Sequence, residues 1–315
     1  MDKYHITVLN FPGAHLCLSM SETSRPGNYL PSLSYDGCEF PVYPTDKNLH
    51  THITQVRDLP VRQEDVFIIG YPYSGCSSLW NILSSLWTPS TDDHHGRTGQ
   101  FHMLDCTSAD HLVDLSSPRI LHSHYPPRYL PSQILTHKPK ILYLLRNPKD
   151  VCVSQYIHTE RGRGRGDKTF QDFLDAFLNH STGYGGWFHY VRQYQQTFTE
   201  HRDLLVHTLR FEDTQTNPYK QTRGLCKFLD VDMDEEAISD LVEACCDASL
   251  IQPTKRVKKE GSSDSMATTP DIYYTEGQVG EWKNWLTVTQ DEEFDTAIRQ
   301  HLDGTEVELG IRYSL

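Results

Sequence analysis

The chain has 315 residues, a formal charge of −13, 37% hydrophobic and 23% charged residues, the proportions of a soluble globular protein with a substantial core. That charge argues against a nucleic-acid partner, which needs a basic face to displace counterions from phosphates. No segment approaches the roughly 18 consecutive apolar residues of a membrane span. The opening MDKYHITVLNFPGAH lacks the apolar core and cleavage site of a signal peptide, so a cytoplasmic protein is expected.

Residues 1–62 show scattered Pro and Gly and little periodicity, and read as irregular. Order is expected from Val66. Strand-like runs at 66–69, 119–124, 141–145 and 204–209 alternate with helical patterns at 77–87, 149–158, 217–229 and 234–247. This alternation predicts an α/β fold: one domain with a central, mostly parallel sheet flanked by helices. Segment 252–277, mixed in charge and rich in small residues, reads as a mobile loop, and the basic run Arg161 to Arg165 as a solvated one.

In such sheets ligands gather where strand-to-helix turns converge beyond the carboxyl ends of the strands. Two turns qualify. The first is GYPYSGCSSLW, Gly70 to Trp80, whose Gly70-x4-Gly75 spacing is that of a P-loop-like phosphate turn, with Cys76 and Ser77 where a lysine and a hydroxyl residue would follow. The glycine spacing also suits an ordinary tight turn. The second is Arg146-Asn-Pro-Lys-Asp150, where Arg146 can fork onto a phosphate and Ser154 can add a hydroxyl from the following helix. Alone, Arg146 reads equally as half of a structural salt bridge. The eight cysteines form no CxxC pair or regular framework, so neither a metal site nor a disulfide scaffold is expected.

Together the two turns resemble those of the cytosolic sulfotransferase family: YPYSGCSSL (71–79) its YPxSGxxxL and RNPKDVCVSQY (146–156) its RNPKDVxVSxY. YDGCEFP (35–41) is similar to its YxGxxFP and HSHYP (122–126) to its KTHxP. FED followed by NP (211–218) is similar to its YEDMxxNP, and GQVGEWK (277–283) to its GxxGDWK. Residues 169–194 resemble the helical wall of its acceptor pocket. The resemblance spans about residues 35–305 and implies a sulfotransferase-like domain, 35–315, after an irregular extension, 1–34. It implies PAPS as donor, its phosphosulfate held by Tyr73, Ser74, Gly75, Cys76, Ser77 and Ser78, and its 3′-phosphate side by Arg146 and Ser154, with Phe211 and Gly277 alongside. It implies a small, largely apolar acceptor, with His124 as the base that removes its proton. His122, His137 and His158 are read as structural. Lys283, Thr287, Val288 and Glu292 match the KxxxTVxxxE dimerisation motif, which implies a homodimer.

The departures all fall on the donor side. Tyr73 stands for the loop lysine, Ser78 for the tryptophan that stacks adenine, Phe211 for a tyrosine, and Thr275-Glu276 for an Arg-Lys pair. Three lost cationic contacts at about 1.5–3 kcal/mol each amount to roughly 4–9 kcal/mol of donor affinity. Lys255 and Arg256 are the nearby cations that would compensate. Three readings follow: PAPS-dependent sulfuryl transfer, a repurposed PAPS-independent elimination, cyclisation or hydrolysis, and a non-catalytic member that binds a ligand or partner.

Overall fold

The computed structural model describes residues 32–41, 48–87, 102–161, 169–249, 278–305 and 310–312. Its centre is a five-stranded, wholly parallel sheet in the order β4-β5-β3-β6-β7. These strands are β3 (Val66–Gly70), β4 (His102–Met103), β5 (Ile120–Ser123), β6 (Lys140–Leu145) and β7 (Leu205–Arg210). A separate hairpin, β1 (Ser32–Tyr35) with β2 (Cys38–Pro41), pairs antiparallel.

β3 is VFIIG and buried at every position, because helices cover both faces of a parallel sheet. The period of two sorts its residues. Phe67 and Ile69 join Ile141, Tyr143 and Leu145 in a core under the helices Leu49–Arg57, Phe170–Leu178, Trp187–Glu200 and Val288–Leu302. Val66 and Ile68 join Leu142, Leu144 and Leu209 in a second core, against the helices Cys76–Trp87 and Pro218–Leu229.

The expected strands and helices are present within a few residues of their predicted bounds. The irregular reading of 1–62 is corrected by the β1–β2 hairpin and the Leu49–Arg57 helix. That helix is histidine-rich and only weakly apolar, yet it is capped by Asn48, whose Oδ1 accepts from His50 N, and buries His52, Ile53 and Val56. The helix expected to run to His158 is α-helical over Pro148–Tyr156 and then widens to a π-turn, Ile157–Arg161. The loop expected at 252–277 lies outside the described residues.

From β3 the chain leaves towards β5 and β4, and from β6 towards β7. The sheet therefore reverses its winding direction between β3 and β6, and a crevice opens beyond their carboxyl ends.

Candidate functional site

Both turns flank that crevice. After Gly70 the chain closes a tight loop, with Ser74 N donating to Tyr71 O at 3.2 Å, before the Cys76–Trp87 helix begins. Tyr73 (φ 67°) and Gly75 (φ 94°) both adopt left-handed backbone. Gly75 is required twice over, since a Cβ there would meet Phe211 Cδ2 at 2.7 Å. The helix start leaves backbone N–H groups without intrahelical partners, a standing site for anions.

Across the crevice, Asn147 caps the next helix through Oδ1, which accepts from Lys149 N, and Pro148 takes the first helical position. This cap fixes Arg146 just beyond β6. Arg146 is 3% exposed. Its Nη1 donates to Tyr73 O at 2.6 Å, and its guanidinium carbon sits 4.3 Å from the Phe211 ring centroid. Nε and Nη2 are buried without a hydrogen-bond partner among the described residues. Among the described residues, the salt-bridge reading of Arg146 is therefore not realised. Its acidic neighbours are engaged elsewhere: Asp150 accepts from Gly280 N and Trp282 N, and Glu212 from Asn147 N. Burial pulls the Arg146 pKa down, opposed by the charges of Asp150 and Glu212.

His124 follows β5. Its ring Nδ1 lies 2.6 Å from Gly70 O. A carbonyl only accepts, so Nδ1 carries the proton and Nε2 the lone pair. Burial lowers the His124 pKa to about 4, partly countered by that hydrogen bond, which keeps the ring neutral near pH 7. Asp105 holds the strand end by accepting from Ser123 Oγ at 2.8 Å and from His124 N at 3.2 Å. Burial raises its own pKa to about 6. An aromatic wall flanks His124: Tyr184 lies 5.8 Å away, and Phe40 packs on Tyr125, Tyr129 and Tyr184. Tyr71, next to Gly70, donates its hydroxyl to Gly183 O and so ties the loop to this wall.

The structure thus brings together Tyr73, Gly75, Arg146 and Phe211, and joins His124 to them through Gly70. Ser74 is buried with Oγ unpartnered among the described residues, and Cys76 is buried. Ser78 is exposed, and the Ser77 side chain is outside the description. Ser154 is half-buried two turns along its helix and makes no hydrogen bond to Arg146. Gly277, Thr275, Glu276, Lys255 and Arg256 lie outside the described residues. Four residues of the site were missed or set aside on sequence. Asp105 and Tyr184 carry no local motif. His122 meets His124 edge to face at 4.4 Å, and His158 stacks on Tyr73 at 5.3 Å. The HxH alternation on a predicted strand was the available signal for His122.

A family model described as a sulfotransferase domain matches residues 63–306. The chain belongs to the sulfotransferase family. Sulfotransferase 4A1 of Mus musculus is 33% identical over 258 residues, 78% of this chain and 83% of that one. The Homo sapiens protein of the same name is 32% identical over 304 residues, 90% and 95% of the two chains. Among solved structures, a mouse sulfotransferase complexed with PAP superposes with a TM-score of 0.68 at 19% identity, over 89% of this chain and 98% of the other. Retinol dehydratase in a complex with retinol and PAP gives 0.66 at 16% identity, over 88% and 92%. These likenesses make the sheet and its flanking helices the sulfotransferase fold. No helix among the described residues is long and apolar enough to cross a membrane.

Proposed function

We propose that the crevice between β3 and β6 binds the nucleotide PAPS, or its product PAP, and that the protein transfers a sulfuryl group to a hydroxyl or amine of a small, largely apolar acceptor. The observation that carries this reading is Arg146: a guanidinium 3% exposed, with two N–H-bearing nitrogens unpartnered among the described residues, beside a phosphate-type loop. A buried cation with unmet donors is costly unless an anion completes it, and guanidinium geometry suits phosphate. The fit to the nucleotide is therefore good on the Arg146 side. Ser74 Oγ, also buried and unpartnered, together with the N-terminus of the Cys76–Trp87 helix, suits the phosphosulfate end. Bound PAPS supplies the transferable sulfuryl group. The chain supplies position and a base: Nε2 of His124 takes the acceptor's proton, while the Gly70 carbonyl holds the ring and Asp105 holds the His124 backbone N–H. The rings of Phe40, Tyr125 and Tyr184 favour an apolar acceptor.

A specific observation supports a second reading. Tyr73 gives the loop no cation, and the ring stacked on it, His158, is pushed towards its neutral form by burial and by the Arg146 charge. A non-catalytic member that binds an anionic ligand, or a PAPS-independent enzyme in the same pocket, follows from that lack of charge. Incubation with labelled PAPS and a panel of phenolic, steroid and amine acceptors separates the readings. Labelled product that is lost in His124→Ala supports transfer; PAP binding without product supports the second reading. We also propose a cytoplasmic homodimer through Lys283, Thr287, Val288 and Glu292, supported by the 77% exposure of Val288.

A further inference from the structure

His122 and His124 stand two residues apart at the end of β5, so their side chains leave the same face of the sheet. His122 pairs in register with Ile68 of β3, and Cys76 opens the helix that follows β3. The topology thus directs one thiol and two imidazoles to one place. Their ligand atoms all lie within 4.8 Å of one another, and all three residues are buried. Gly70 makes room for the thiol, because a Cβ there would stand 2.8 Å from Cys76 Sγ.

We propose that Cys76, His122 and His124 form a site for a zinc ion, with its fourth position open to water or a small anion. Tetrahedral zinc, with bonds of about 2.0–2.1 Å to nitrogen and 2.3 Å to sulfur, sets its donors roughly 3.3–3.6 Å apart, so small side-chain shifts close the present triangle. One thiolate and two imidazoles favour zinc over magnesium or calcium, which prefer oxygen ligands. The outer shell is in place as well. His124 donates Nδ1–H to Gly70 O, the backbone partner that orients metal-bound histidines and leaves Nε2 to the ion. Asp105, buried and bonded to Ser123 and His124 N, adds a carboxylate beside the site. On binding, the Cys76 thiol loses its proton to solvent as the sulfur–zinc bond forms, with no change of oxidation state.

The ion occupies the lone pair that the proposed base uses, so zinc-bound protein and base-competent protein exclude each other. The site itself does not depend on nucleotide binding, and it is tested without PAP. Chelator-treated full-length protein is titrated with cobalt(II), whose tetrahedral thiolate complexes show sulfur-to-metal charge-transfer and intense visible bands. The expected result is a 1:1 spectrum, displaced by one equivalent of zinc. It is lost in Cys76→Ser, retained in Cys226→Ser, and reached in His122→Gln only at cobalt concentrations at least ~100-fold higher. The wild-type spectrum reads sulfur ligation directly, and His122→Gln locates the ion even if Cys76→Ser fails to fold. Absence of a 1:1 spectrum in wild type, or its persistence unchanged in Cys76→Ser or His122→Gln, overturns the proposal. PAP affinity measured on the same chelated samples separates this outcome from failure of the nucleotide reading.

Discussion

Arg146 and His124 illustrate how burial without complete pairing marks function. His124 is neutral because burial lowers its pKa to about 4, and its tautomer is fixed by one carbonyl. In chelator, any transfer activity should therefore hold as pH falls through 6 and 5, and decline only towards pH 4 as Nε2 gains a proton. An exposed histidine would lose activity near 6.5 instead, and a pH–rate profile distinguishes the two. His124→Ala should lower turnover by about 10²–10⁴-fold while leaving PAP affinity within a few-fold. Tyr73→Lys restores a loop cation and should tighten PAP binding by at least ~10-fold, read by calorimetry. The HSHYP and RNPKD strings announced these two residues. The sequence had no means of showing that Arg146 spends Nη1 on a backbone carbonyl and keeps Nε and Nη2 unspent, because that depends on the left-handed turn at Tyr73.

At the scale of elements, the site is a product of two strand-to-helix turns and their caps. Gly75 lies in left-handed backbone against the Phe211 ring, so Gly75→Ala should both strain the turn, at about 1–3 kcal/mol, and displace Phe211 from Arg146. A lowered Tm together with weakened PAP binding is the expected outcome, measured by thermal denaturation and calorimetry. Long apolar runs such as VFIIG and ILYLL made the central strands legible, since a doubly covered strand has no polar face to confuse its period. The Leu49–Arg57 helix was not legible. Its three buried residues include a histidine, His52, whose Nε2 lies 2.8 Å from Leu104 O, and only the tertiary partner makes that position interior. The Cys76, His122 and His124 cluster was hidden for a similar reason: the two histidines sit at the end of β5 and the cysteine at the helix start after β3, and only the β3–β5 pairing joins them.

For the whole molecule, buried charges and histidines set the response to mutation and pH. Arg119 and Asp65 form a fully buried pair, with further bonds from Arg119 to Leu112 O and Pro60 O. Arg119→Ala leaves Asp65 uncompensated and should destabilise by about 3–5 kcal/mol in urea denaturation. His102 and His124, each lowered to about 4 by burial, and His122, lowered well below its ordinary value, are neutral in the native state where the unfolded chain is protonated. Between pH 6.5 and 4 the unfolded chain thus binds the extra protons, and these histidines make stability fall as pH falls. Asp105, raised to about 6, acts in the opposite sense from about pH 6 downwards. Burial also raises Asp150 and Glu212 and lowers His158 and His207; with the lowered histidines outnumbering the raised carboxyls, the net urea midpoint in chelator should drop from pH 7 to pH 5. The central claim is that a sulfotransferase crevice with an altered donor loop still holds PAP through Arg146. Calorimetric titration of PAP into wild type and Arg146→Gln tests it most directly. Saturable 1:1 binding, weakened at least ~10-fold in the variant, is the predicted result; no heat at millimolar PAP, or equal affinity in the two proteins, would contradict it.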